Sequence, residues 1–148
     1  MLIIDDIVPA ANTQVQVRVI HAAPGAGNVD VFTTATSTTT LVGATPVATN
    51  VGVTNGSTTG ISAYLSRAAG AFAIQIAATG TTTSLAGTAS PAGTAGTTAV
   101  NPVFGATVAG TTMTAIAFPA TVSGSRAAAF GAPGIVFYGD RSVPRTAP

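Results

Sequence analysis

The 148-residue chain has no cysteine, no tryptophan, no lysine and no glutamate, and it has a single histidine. Without cysteine there is neither a disulfide framework nor a thiolate metal site. One histidine among a few aspartates makes a poor zinc site. Without lysine, no glycine-rich loop can complete a phosphate-cradling G-x-x-x-x-G-K-[ST] motif. Without tryptophan, a sugar-binding surface loses its usual stacking platform. No apolar run reaches the length of a membrane-spanning helix. The chain opens without a basic segment leading into an apolar core, so a secreted protein of this sequence is expected to be a mature or trimmed form.

Charge is scarce in both signs. Charged residues make up 6% of the chain, and the net charge is +1, against about 25% charged residues in ordinary soluble domains. The cations are Arg18, Arg67, Arg126, Arg141 and Arg145, and the anions are Asp5, Asp6, Asp30 and Asp140. The arginines are scattered, so no electrostatic footprint for nucleic acid is present. The surface must be covered with Thr, Ser, Gly and Ala, which cost little to desolvate. Such a surface suits a subunit whose outside becomes an interface; a codon bias toward Ala, Gly, Thr and Arg is the other source of the same composition.

Period-two alternation dominates, while Gly, Pro and Thr interrupt every window long enough for a helix. Val15, Val17 and Val19 share one strand face, with Gln16 and Arg18 on the other. Val29 and Val31 share a face, as do Phe72, Ile74 and Ile76. Ile61, Ala63 and Leu65 alternate, Met113, Ala115 and Ala117 oppose Thr114, Ile116 and Phe118, and Ile135 and Phe137 oppose Val136 and Tyr138. Turn chemistry separates these runs at Pro24-Gly25, Asn55-Gly56, Ala69-Gly70, Gly80, Gly110 and Ser123-Gly124. The segment 85–101 has no clear period and reads as a long surface loop or a weak edge region. The threonine run 33–40 suits an exposed strand or O-glycosylation. Asn55-Gly56-Ser57 is formally an N-glycosylation sequon and equally a two-residue hairpin turn. One domain is expected for this length. The pattern predicts an all-β fold, a single antiparallel Greek-key, immunoglobulin-like β-sandwich over residues 14–140, with a strand-forming arm and linker at 1–13 and a tail at 141–148.

The run V-R-V-I-H-A-A-P-G-A-G-N-V-D-V-F over residues 17–32 resembles the opening strands of a bacterial secreted family of unknown function, DUF4397. Its pattern is approximately V-R-V-x-H-A-x-P-x-A-x-x-V-D-V-(Y/F). Residues 63–74 look like that family's second strand pair, Thr111–Phe118 like a later strand with Met113 in place of an aromatic, and Ile135–Asp140 like its final strand. The stretch from Gly80 to Gly105 departs in length and composition. The resemblance implies a β-sandwich at the cell surface and supplies no reaction. It also implies tandem domains joined by Asp-x-x-x-Pro linkers. Here Leu2-Ile3-Ile4-Asp5 leads to Pro9, and Phe137-Tyr138-Gly139-Asp140 leads to Pro144 with the same spacing. Residues 2–8 are then either the first strand of their own sheet or a strand that pairs with a neighbour.

Few constellations could carry chemistry. His21 and Asp30 could in principle be a base and its orienting carboxylate, but no nucleophile elbow accompanies them. His21, Pro24 and Asp30 instead read as a structural motif in which the imidazole and carboxylate bond loop backbone. A glycosidase would need two carboxylates flanking a cleft, and the aspartates look like strand-end or turn residues. Asp5 and Asp6 with Asp140 could offer oxygens to Ca²⁺ at a subunit junction, though without a calcium-loop spacing. Tyr64, Tyr138 and the phenylalanines are expected in the core. No catalytic, cofactor or metal residue is assigned. The expected role is a non-enzymatic structural subunit of an extracellular or cell-surface filament, a homopolymer in which Leu2, Ile3, Ile4 and Ile7 are donated as a strand to the next copy. The alternative is a surface binding or adhesion module for carbohydrate or another envelope ligand. Ice binding by threonine faces is disfavoured, because the runs form no regular T-x-T ladder.

Overall fold

In the computed structural model, residues 13–54, 58–119 and 133–141 are described. They form eight strands: β1 (Val15–His21), β2 (Val29–Thr34), β3 (Ala48–Val51), β4 (Leu65–Arg67), β5 (Ala73–Ala78), β6 (Ser84–Ala89), β7 (Thr112–Phe118) and β8 (Gly134–Arg141). Helix among the described residues is limited to two single 3-10 turns, Pro24–Ala26 and Thr58–Gly60. None is long and apolar enough to cross a membrane. The strands make two four-stranded sheets in the orders β4-β1-β7-β8 and β3-β2-β5-β6. All pairs are antiparallel except β1 with β7, which run parallel from Gln16↔Thr112 to His21↔Ala117. A hairpin cannot join parallel neighbours. Between them the chain crosses to the second sheet for β2 and β3, returns to the first for β4, crosses again for β5 and β6, and comes back as β7. This one pair departs from the antiparallel expectation.

The two sheets bury their alternating apolar faces against each other. Val15, Val17 and Val19 of β1 and Met113, Ala115 and Ala117 of β7 meet Val29 and Val31 of β2 and Ile74 and Ile76 of β5. Phe72, just ahead of β5, packs edge-on against Phe137 of β8, with centroids 6.2 Å apart. Each fully buried side chain of this size contributes about 1.5–3 kcal/mol from removal of apolar surface.

Much of the outer faces is covered as well. Every residue of β1 is buried, including Gln16 and Arg18. Over the second sheet lies the segment 35–47, anchored by buried Leu41 packing on Phe32 and Ala77. Thr40 bridges to Thr83, and the Leu41 amide donates to Thr82 O at 2.7 Å. Beneath it, Gln75 is fully buried. With its amide oriented to match its neighbours, Gln75 donates to Thr38 O (2.6 Å) and Ser84 Oγ (2.9 Å) and accepts from Thr38 N–H (3.0 Å) and Thr34 Oγ1 (2.9 Å). Opposite it on β6 stands Gly87, where a Cβ would come within 2.5 Å of the Gln75 side chain. The threonine run therefore ends β2 with Thr33 and Thr34 and continues from Thr36 to Thr40 as a fitted cover. The segment 85–101 divides: its first residues belong to the edge strand β6, and the rest is loop, held by a Thr94–Val103 bridge.

Candidate functional site

The signature segment is the crossover from one sheet to the other. Pro24 opens a 3-10 turn, and Gly27 closes it at φ +65°, a conformation that favours glycine. The Gly27 carbonyl lies 2.7 Å from His21 Nε2, and the Ala23 amide donates to His21 Nδ1 at 3.4 Å. A carbonyl only accepts, so Nε2 is the donor of this pair. His21 is fully buried. Asp30, on β2, accepts from Asn50 N–H (2.8 Å, Oδ1) and Gly80 N–H (2.9 Å, Oδ2). It ties β2 to β3 and to the turn that follows β5, each at a residue with positive φ (Asn50 +53°, Gly80 +78°). Both ring nitrogens of His21 and both oxygens of Asp30 are thus held by backbone groups, and Pro24 shapes the loop between them. The geometry offers a staple for a crossover and gives no base–carboxylate pair.

A second polar group, absent from the sequence reading, sits on the outer face of the first sheet. Arg18 Nε donates to Thr114 Oγ1 (2.9 Å), and Thr114 Oγ1 donates to Asp140 Oδ2 (2.6 Å). The Tyr64 hydroxyl donates to the same oxygen at 3.0 Å. The Arg18 guanidinium lies over the Tyr64 ring, 4.7 Å from its centroid. Burial, the Asp140 hydrogen bond and the Asp140 charge push Tyr64 up to about 12, against a lowering by Arg18. The cluster joins β1, β7, β8 and the segment before β4. Its only signal in the sequence was the placing of polar residues at alternate positions of strands, which reads equally as a solvated face. Among the described residues no three His, Asp or Glu side chains converge on a metal position.

The last strand, β8, lies at the edge of the first sheet. Among the described residues β8 pairs with β7 alone, so no strand is hydrogen-bonded along its other side, although β6 of the second sheet approaches it. Its inward side is fixed: Ile135 is buried, Phe137 packs on Phe72, and the Phe104 ring occupies the space where a Cβ on Gly139 would lie, 2.6 Å away. Its outward side carries Val136, 41% exposed, and Tyr138, 51% exposed. Tyr138 is therefore a surface residue and Tyr64 a half-buried one on the outer face, which corrects the expectation that both tyrosines are core; among the described residues an edge strand has no neighbour to cover its outward ring. Val136 continues a cross-sheet row of Ile20 and Ile116.

Leu2, Ile3, Ile4 and Ile7, expected from the sequence to be donated as a strand, lie outside the described residues, as do Asp5, Asp6, Pro9, Asn55-Gly56-Ser57, Ser123-Gly124 and Pro144. Compared with known proteins, the chain matches no family model, no curated protein and no solved structure.

Proposed function

We propose that this protein is a non-enzymatic structural subunit of an extracellular filament, in which the segment Met1–Val8 of one copy pairs with β8 of the next. The observation that carries the reading is the open β8 edge, with its exposed Val136 and Tyr138. An edge of this length, bearing apolar side chains and no lysine, templates pairing with another chain unless something covers it. The segment 2–8, Leu-Ile-Ile-Asp-Asp-Ile-Val, has the apolar content of a donated strand. Backbone hydrogen bonds would provide the pairing, and its side chains would cover the exposed row on the acceptor. The resemblance of residues 17–32 to a cell-surface family agrees with an extracellular setting. The test is deletion of Met1–Val8 followed by electron microscopy and sedimentation. Folded monomers from a polymerising parent support the proposal. An unfolded product makes the segment an internal strand, and unchanged polymers remove it from the joint.

The adhesion reading draws on one observation, the exposed Tyr138 ring two residues from Asp140. An aromatic beside a carboxylate is a common sugar-binding pair. Asp140 Oδ2 already accepts two hydrogen bonds, which leaves it little capacity for a ligand. Retained glycan binding after Tyr138→Ala would end this second reading.

A further inference from the structure

The cover over the second sheet has two chemically distinct sides. Its inward groups are spent: Thr34 and Thr38 meet Gln75, Leu41 fills an apolar socket, and Thr38 Oγ1 also bonds the Thr40 backbone. Its outward side presents Thr36, Thr39 and Thr40, all exposed, whose hydroxyls make no hydrogen bond to another described residue. Across the Thr40–Thr83 bridge stand the exposed Thr82 and Thr83. The result is a ribbon of secondary hydroxyls, held in place by the Leu41 anchor and the Gln75 clamp.

We propose that Thr36, Thr39 and Thr40 are O-glycosylation sites. Three features of the molecule converge on this. The acceptor hydroxyls are accessible without unfolding. They sit in an irregular segment, Thr36 and Thr39 at bends and Thr40 at the bridge to Thr83, whose backbone is already fixed, so attachment distorts no packed structure. The chain has only nine charged residues, five Arg and four Asp, to keep it hydrated, and glycans would supply polar surface where side chains do not.

The modification needs a separate glycosyltransferase and a sugar activated as a nucleotide or lipid phosphate. The threonine Oγ attacks the anomeric carbon. A bond from that carbon to Oγ forms as its bond to the phosphate oxygen breaks, the phosphate leaves with the electron pair, and the hydroxyl proton passes to the transferase's base.

Protein purified from its native cells is digested, and the peptide spanning Val19–Arg67 is examined by mass spectrometry with electron-transfer fragmentation. Sugar-mass increments on Thr36, Thr39 or Thr40 are expected. They should vanish in Thr36→Ala/Thr39→Ala/Thr40→Ala and return in the corresponding Thr→Ser triple variant, whose hydroxyls can still accept. A matching circular-dichroism spectrum and melting curve for the alanine variant establishes that loss of sugar is not loss of fold. An unmodified peptide, or sugars confined to other positions, overturns the proposal. Filament formation is not a readout, so the outcome is independent of the assembly reading.

Discussion

Ile74 lies mid-strand on β5, fully buried between the sheets. Truncating it removes transfer free energy and leaves a cavity in a layer that strands on both sides hold open. Ile74→Ala is expected to lower stability by about 2–5 kcal/mol in urea unfolding, and Phe72→Ala by a similar amount. His21 is a different case, since its value lies in two backbone hydrogen bonds. In His21→Gln the amide can still donate to the Gly27 carbonyl but fits the Ala23 amide poorly, so a loss of about 1 kcal/mol is expected. His21→Ala should cost clearly more, because it removes the Gly27 hydrogen bond altogether and leaves a void where the fully buried ring sat. Equal losses for the two variants would show that the hydrogen bond to Gly27 contributes nothing. The apolar residues of the inter-sheet core were legible because their alternation is local. Gln75, Arg18 and Thr114 were not. Polar residues on alternate positions look solvent-facing until a distant segment folds over them, and Thr34–Thr38 and Tyr64 are distant in sequence.

At the scale of elements, β1, β2, β5, β7 and β8 announce themselves through period-two runs of branched and aromatic residues. β3 and β6 do not. Ala48-Thr49-Asn50-Val51 and Ser84-Leu85-Ala86-Gly87-Thr88-Ala89 are edge strands whose outward faces need no apolar residues. The parallel β1–β7 pairing was equally hidden, because both partners bury the same pattern in either direction. The Arg18–Thr114–Asp140–Tyr64 cluster ties β8 to the interior strands, and it makes a pH prediction. The folded Tyr64 is raised to about 12 from an unfolded value of 10.0. The stability this contributes is fully present below pH 10 and is lost as pH rises toward 12, because the unfolded chain ionises first. Tyr64→Phe should flatten that part of the profile, as read from urea midpoints between neutral pH and pH 11.5 and from the tyrosinate absorbance of folded protein. An identical decline in the variant would assign it to other groups.

For the molecule as a whole, the question is how an almost uncharged sandwich with an open edge stays soluble or assembles in a defined way. A strand donated from one copy to β8 of the next is a head-to-tail contact. Donor and acceptor surfaces differ, so the contact repeats indefinitely unless its rotation closes a ring. Burial of Leu2, Ile3, Ile4 and Ile7 would contribute roughly 6–10 kcal/mol before ordering costs, at about 1.5–3 kcal/mol each. The acceptor side can be disabled without touching the donor. Val136 faces outward and is substantially exposed, so Val136→Lys should leave the melting temperature within a few degrees of the parent. Its ammonium group would stand on the edge where the incoming strand must dock, a common device by which proteins block edge pairing. Such a subunit keeps a functional donor segment and a blocked acceptor edge. Mixed with parent protein, it should add its donor to an open acceptor and then stop growth at that end. Filament length should fall as the fraction of variant rises, while a variant also lacking Met1–Val8 should have no effect on length. Filaments of undiminished length containing Val136→Lys subunits would place the acceptor elsewhere than β8.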